Sequence, residues 1–273
     1  MRKTALRLIS LLLLLALLPA GGLAAEKQLR GYDEKEKKDN RYQYVSMGTY
    51  PYEKDGATQA VLWRVLSVED NQALLMTEWI IDKQQVMTVS TSYNDAFVKR
   101  KYERIGSFQE TDLCAWLNTT MLDKLMGTKK IRNALVETDF GKLFLLTDEQ
   151  MLTTAYGFKA DRYFDHPERM AYATPYAKTG PLYSWSRKLT VDPKYGTSPY
   201  WVAAFKYPDD MKNNYYMQVC GGNGHLSYGA YARVDVGIRP AVLVDLTQCT
   251  ISAGSGTKEK PYKLKYTGTA GEN

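Results

Sequence analysis

The residues best suited to chemistry are few and scattered. Three cysteines stand at 114, 220 and 249, and two histidines at 166 and 225. A catalytic thiol needs a neighbour that stabilises the thiolate. Only His225 lies near Cys220, across a glycine turn, which makes it a poor catalytic pair. Neither histidine has a second histidine at helical spacing, so no zinc site of known spacing is offered. No phosphate-cradling G-x-x-x-x-G-K-[ST] run and no G-x-S-x-G nucleophile elbow occurs. Asp209, Asp210, Asn213 and Asn214 supply oxygen ligands, and calcium is the one cofactor they leave open. Calcium takes six to eight oxygens from a shaped loop, and this run reads instead as a solvated turn. No catalytic residue and no metal ligand is assigned.

Binding is better served. Trp185, Arg187, Tyr200, Trp201, Tyr228 and Tyr231 are candidates, because aromatic platforms suit sugar rings and peptide chains alike. Alternate residues of a strand share a face, so one subset should meet solvent. Covering the core is the competing role for the same residues. Arg187 and Arg239 could bind an anion. Arg239 reads more simply as a buried fork donating to loop carbonyls, and Pro240 beside it marks an edge or bulge. An odd cysteine count leaves one thiol unpaired. Cys114, between Leu113 and Trp116, reads as a core residue, while Cys220 and Cys249 could bridge in an oxidising compartment.

The elements that must position these residues follow from periodicity. Residues 215–246 read as three strands of a central antiparallel sheet, with Gly221, Gly222 and Gly224 in the first turn. Upstream, 61–68 and 72–81 form a hairpin about Asp70-Asn71. Ser107 and Glu110 have capping-box spacing. Leu113, Trp116, Leu117, Thr120, Met121 and Leu125 then mark one helical face, which Gly127 ends. Thr147 to Gln150 is a second box, preceded by a buried strand over 140–146. Residues 156–181 are long and irregular.

Arg2, Lys3 and Arg7 followed by the apolar run 8–18 read as a secretory signal, residues 1–25, cleaved after Ala24 or Ala25. The apolar run is short for a membrane span, which needs about 20 residues. The expected location is therefore extracellular, with no span after signal removal. Three of the 36 basic residues and none of the 30 acidic ones lie in 1–25, which leaves 33 against 30. That balance gives no case for nucleic acid. Residues 26–41 are dense in both charge signs and read as a disordered leader. The folded body should be one domain over 42–266, with a polar tail at 267–273.

At VSMGTYP (45–51), the Trp63-Arg64 strand, Asp112–Asn118, Trp185-Ser-Arg187 and Gly237–Ala241, the chain resembles a bacterial secreted family, domain of unknown function 6273. Relatives read W-L-R-S-P where this chain has Trp185-Ser-Arg-Lys-Leu189. The family's layout is similar to the C-type-lectin-like and formylglycine-generating-enzyme-like folds. The resemblance implies an α+β domain with a twisted, mainly antiparallel sheet, two or three short helices and long irregular loops. It casts Trp116, Asn118 and Arg239 as structural residues. The function expected is a non-enzymatic module that binds a glycan or cell-surface protein. An exported enzyme of the formylglycine-generating type and a structural cell-envelope protein are the alternatives.

Overall fold

A computed structural model describes residues 23–87, 107–127, 129–179, 191–205, 216–232 and 234–268. The architecture is α+β. Its strands are β1 (Leu23–Ala24), β2 (Tyr44–Pro51), β3 (Thr58–Glu69), β4 (Gln72–Thr77), β5 (Asp82–Gln84), β6 (Tyr200–Phe205), β7 (Tyr216–Cys220), β8 (Tyr228–Tyr231), β9 (Val236–Ile238), β10 (Ala241–Asp245), β11 (Cys249–Ala253) and β12 (Tyr262–Tyr266). They form a seven-stranded sheet, ordered β1-β11-β12-β2-β3-β4-β10, and a five-stranded sheet, β5-β9-β6-β7-β8. Pairing is antiparallel except for β12 with β2 and β6 with β9. Among the described residues, no helix is long and apolar enough to cross a membrane.

The expected hairpin joins β3 to β4. Asp70 and Asn71 take positive φ values of 48° and 61°. That backbone belongs to the tight turn whose twist matches its flanking strands. The central three-stranded sheet is not formed as expected. β7 and β8 pair in the small sheet, but the third run breaks at Arg239-Pro240. Ile238, its first residue, ends β9, which pairs with β5 and β6, and the part beyond the proline, β10, pairs with β4 of the large sheet. Pro240 cannot donate to a ladder, so the chain changes sheets where the proline stands.

Side-chain alternation builds two cores from the same strands. Val61, Trp63 and Val65 of β3 face one core, with Ala73 and Leu75 of β4. Leu62 and Leu66 face the other, with Leu74 and Met76. Helical residues Leu113, Leu117, Met121 and Leu125 close the first, and loop residues Leu146, Met151, Phe158 and Ala171 close the second.

The helical stretch comprises α1 (Asp112–Trp116), a π turn (Leu117–Met121), α2 (Leu122–Met126) and the separate α3 (Lys129–Arg132). Thr111, not Ser107, caps α1: its hydroxyl accepts from the Cys114 N–H at 3.1 Å. Ser107 opens only the 3-10 turn Phe108–Glu110. The second box forms as read, with Thr147 N–H donating to Gln150 Oε1 at 2.9 Å and Gln150 N–H to Thr147 Oγ1 at 3.2 Å. Residues 140–146 form isolated bridges rather than a strand, Phe144 pairing with Ala241.

The leader over 26–41 is docked, not disordered. Leu29 is buried in the first core. Tyr32 N–H donates to Leu66 O at 3.1 Å. The Arg30 guanidinium donates to Gly31 O, Arg41 O and Asn40 O at 3.1, 3.3 and 2.7 Å. Mixed charge composition hides these anchors, because Leu29, Arg30 and Tyr32 fix a segment whose residues 34–40 are exposed. Upstream, Leu23–Ala24 pairs with β11 and Ala25 is buried.

Candidate functional site

Three loops converge at one end of the small sheet: 161–172, 191–199 and 221–227. Buried Arg169, on the first of them, ties it to the third. Its Nε donates to Gly224 O at 2.8 Å and its Nη2 to Asp161 O at 2.6 Å. His166 lies beneath, and its Nε2 accepts from the Lys159 N–H, which puts the ring proton on Nδ1, 3.1 Å from Glu168 Oε2. Gly224 is required there: its φ is +81°, and a Cβ would strike the His166 carbonyl. Leu226 N–H donates to Arg162 O, and Ser198 N–H to Ala171 O, both at 2.9 Å.

On this frame stands an aromatic surface. Tyr163 and Phe164 are 67% and 68% exposed, Tyr172 is 56% exposed and Tyr228 is 47% exposed. Asp161 Oδ1 accepts from the Tyr163 and Phe164 N–H groups at 2.7 and 3.3 Å, an Asx turn that fixes where that pair emerges. Tyr228 stacks on His225 at 6.0 Å between centroids, with 14° between planes. The same loops carry a polar cluster. Asp165 accepts from Lys194 Nζ at 3.1 Å, from the Tyr195 hydroxyl, and meets His225 Nε2 at 3.0 Å. The Tyr195 hydroxyl first, then Lys194, holds the Asp165 carboxyl below the usual carboxylate range. Lys194 also lies 4.6 Å above the Tyr195 ring.

Of the residues expected to bind, Tyr228 belongs to this surface. Tyr231 is placed on β8 opposite Tyr216. Tyr200 and Trp201 do not reach solvent, being 2% and 1% exposed. β6 is covered on both faces, so its alternation sends Trp201 into the first core and Tyr200 into the second. Trp201 Nε1 donates to Gln84 O at 2.7 Å, and the Tyr200 hydroxyl donates to Arg169 O at 2.5 Å. Trp185, Arg187, Asp209, Asp210, Asn213 and Asn214 lie outside the described residues. Tyr163, Phe164, Asp165, Tyr172, Lys194 and Tyr195 were missed. They stand in aperiodic loops, and the run Asp161-Arg-Tyr-Phe-Asp165 was the one available signal, an aromatic pair fenced by turn-forming aspartates.

The three cysteines are free and buried. Cys220 ends β7 in the small sheet and Cys249 begins β11 in the large one, and the bridge that the sequence left open is not formed. Burial pushes the Cys220 thiol up to about 11 and that of Cys249 up to about 12, and it raises Cys114 as well. Thiols so placed stay protonated and poorly nucleophilic at neutral pH. Among the described residues, no three His, Cys, Asp or Glu side chains group as a metal site.

Arg239 is a buried fork. Its Nε donates to Thr77 O at 2.8 Å, and its Nη1 lies 3.2 Å from both Arg169 O and the Tyr200 hydroxyl. Asn118 is half-buried and ties a loop. Its Nδ2 donates to Phe140 O at 2.7 Å and Leu143 O at 3.0 Å, and its Oδ1 accepts from Leu143 N–H at 3.0 Å. Trp116 packs half-buried against the first core. No protein-family model, curated protein or solved structure matches the chain.

Proposed function

We propose that this chain is an exported binding module that holds a glycan on the aromatic surface formed by Tyr163, Phe164, Tyr172 and Tyr228. The observation that carries this reading is four exposed rings on the loops, and the adjoining end of β8, that also hold the Asp165–Lys194–His225 cluster. Ring faces stack against the C–H face of a pyranose. The carboxylate, ammonium and imidazole on the same loops would meet its hydroxyls. Loops stitched by Arg169 and by the Asp161 turn lose little freedom on binding, which favours affinity. Buried, protonated thiols on separate elements weigh against the formylglycine-generating alternative, whose chemistry needs a reactive pair in a cleft. The two sheets, short helices and long loops are compatible with a C-type-lectin-like layout. The proposed relation to the bacterial secreted family has Trp63-Arg64 and Gly237–Ala241 at the heart of the packing.

A glycan array read with wild type, the Tyr163→Ala/Phe164→Ala double variant and Tyr228→Ala tests the reading. The variants should lose at least tenfold in affinity, about 1.4 kcal/mol. Their stability should stay within about 0.5 kcal/mol of wild type, as expected for exposed positions. Glycan affinity unchanged in both variants would remove this surface from the function. A blank array together with capture of a surface protein through the same rings would replace the glycan by a protein partner.

A further inference from the structure

A second constellation lies where β2, β5 and α2 meet, apart from the loops that form the aromatic surface. Tyr50 of β2 is buried, and Tyr176 is half-buried in the turn over 174–179. Their rings stand nearly perpendicular, with centroids 6.1 Å apart and 80° between planes. The ammonium of Lys124, from α2, sits over both, 4.7 Å from the Tyr50 centroid and 4.8 Å from the Tyr176 centroid. It also donates to the Tyr176 hydroxyl at 2.9 Å. Behind the rings, the Tyr50 hydroxyl donates to the Asp82 carboxylate, whose other oxygen accepts from the Lys83 N–H at 2.8 Å.

Each part favours a cation. An ammonium within about 6 Å of a ring centroid is attracted by the negative face of the ring. Two faces at right angles add their attraction at one point. A phenol that donates to a carboxylate carries more electron density in its ring, and the carboxylate adds its own charge. Among the described residues, no carboxylate lies within ion-pair distance of Lys124. An exposed lysine without an ion-pair partner ordinarily points into water, where its ammonium is strongly hydrated. This one turns back onto the rings.

We infer that Tyr50, Tyr176 and Asp82 form an ammonium-binding cage whose resident cation is the chain's own Lys124, and that an external alkylammonium competes for it. Lys124 is exposed on its helix, so its side chain leaves without unpacking a core. A tethered occupant acts at high effective concentration and weakens any competitor. Quaternary ammonium suits the site best, because it is weakly hydrated and needs no hydrogen-bond acceptor. The inference does not rest on the glycan reading.

The test is an NMR titration of wild type, Lys124→Ala and Lys124→Ala/Tyr176→Ala with choline, and with 3,3-dimethylbutan-1-ol as its neutral isostere. Lys124→Ala should bind choline at least tenfold more tightly than wild type, with shifts centred on the Tyr50 and Tyr176 ring signals. The isostere should not saturate, and the double variant should lose choline binding. Lys124→Gln, which keeps the chain length without the charge, should behave as Lys124→Ala does. Absence of saturable choline binding in both single variants overturns the cage. So does equal binding of the isostere, choline affinity in wild type that matches Lys124→Ala, or full affinity in the double variant.

Discussion

Arg239 was legible because Gly237-Ile-Arg-Pro-Ala241 puts an arginine where a strand is otherwise apolar, and a buried fork with carbonyl partners follows from that. Which carbonyls it meets was not legible, since Thr77 and Arg169 lie 162 and 70 positions away. Glu78 stood unnoticed in an apolar run, yet it anchors the only buried ion pair among the described residues. Its Oε2 lies 2.6 Å from Arg64 Nη2 and accepts from Nε at 2.8 Å, while Oε1 accepts from Lys258 at 2.7 Å. Burial alone would raise the Glu78 carboxyl, but Arg64, Arg239 and Lys258 overcome it and hold the carboxyl below its ordinary value. A lowered folded value means that the carboxylate stabilises the fold fully above the unfolded value, about 4.3. That contribution fades as pH falls through the folded value. Glu78→Gln should therefore cost on the order of 3 kcal/mol at pH 7, because a buried arginine loses its partner. The gap to wild type should narrow below about pH 4. Urea midpoints from pH 7 to pH 2.5 decide it, and a gap that stays constant or widens in acid contradicts this account.

Elements were read well where local geometry decides them and poorly where a distant strand does. The Asp70-Asn71 hairpin and the Thr147–Gln150 box need only their own residues. The helix after Thr111 was placed correctly, and Leu113, Cys114, Leu117, Met121 and Leu125 are buried as read, but its face was only partly right. Thr120 was expected to face inward and is exposed, whereas Leu122 and Met126, which the reading left out, are buried. The π turn over Leu117–Met121 adds a residue to the local repeat and rotates the inward face. Nothing in a 3.6-residue periodicity shows such a turn. Asn118 sits at its start and satisfies the carbonyls and the N–H of the 140–143 loop, a job no apolar side chain can do. Asn118→Ala leaves those buried groups unpaired and should cost about 2 kcal/mol. Asn118→Asp should be at least as damaging, since a carboxylate cannot donate to Phe140 O and Leu143 O. Thermal melts of the two variants check this, and an aspartate variant as stable as wild type would mean that the amide is not the tie.

At the scale of the whole molecule, α+β character was legible from hairpins, caps and irregular loops, but the division into two sheets was not. Apolar continuity through Ile238–Leu246 looks like one strand, and the change of sheet at Arg239-Pro240 depends on β4 and β6, which the local run does not contain. Burial on both faces was hidden for the same reason, and it is why Tyr200 and Trp201 looked like a binding surface. That double burial bears on cooperativity. β3, β4 and β6 send alternate side chains into each core, so neither core can come apart while those strands stay paired. Arg239 and Pro240 tie the sheets again, with Thr77 accepting from Arg239 Nε and donating to Pro240 O at 2.9 Å. Unfolding should be one transition, although a chain of this length has room for intermediates. Tryptophan fluorescence, to which the buried Trp63 and Trp201 of the first core contribute alongside Trp79, Trp116 and Trp185, and far-ultraviolet circular dichroism should give coincident urea curves. Leu62→Ala in the second core and Val65→Ala in the first should lower the same midpoint in both signals. Costs should be about 2–4 kcal/mol, the range for truncating a buried aliphatic side chain to alanine. If Leu62→Ala moves the dichroism curve while the fluorescence curve stays in place, the cores unfold separately, and the shared strands do not couple them.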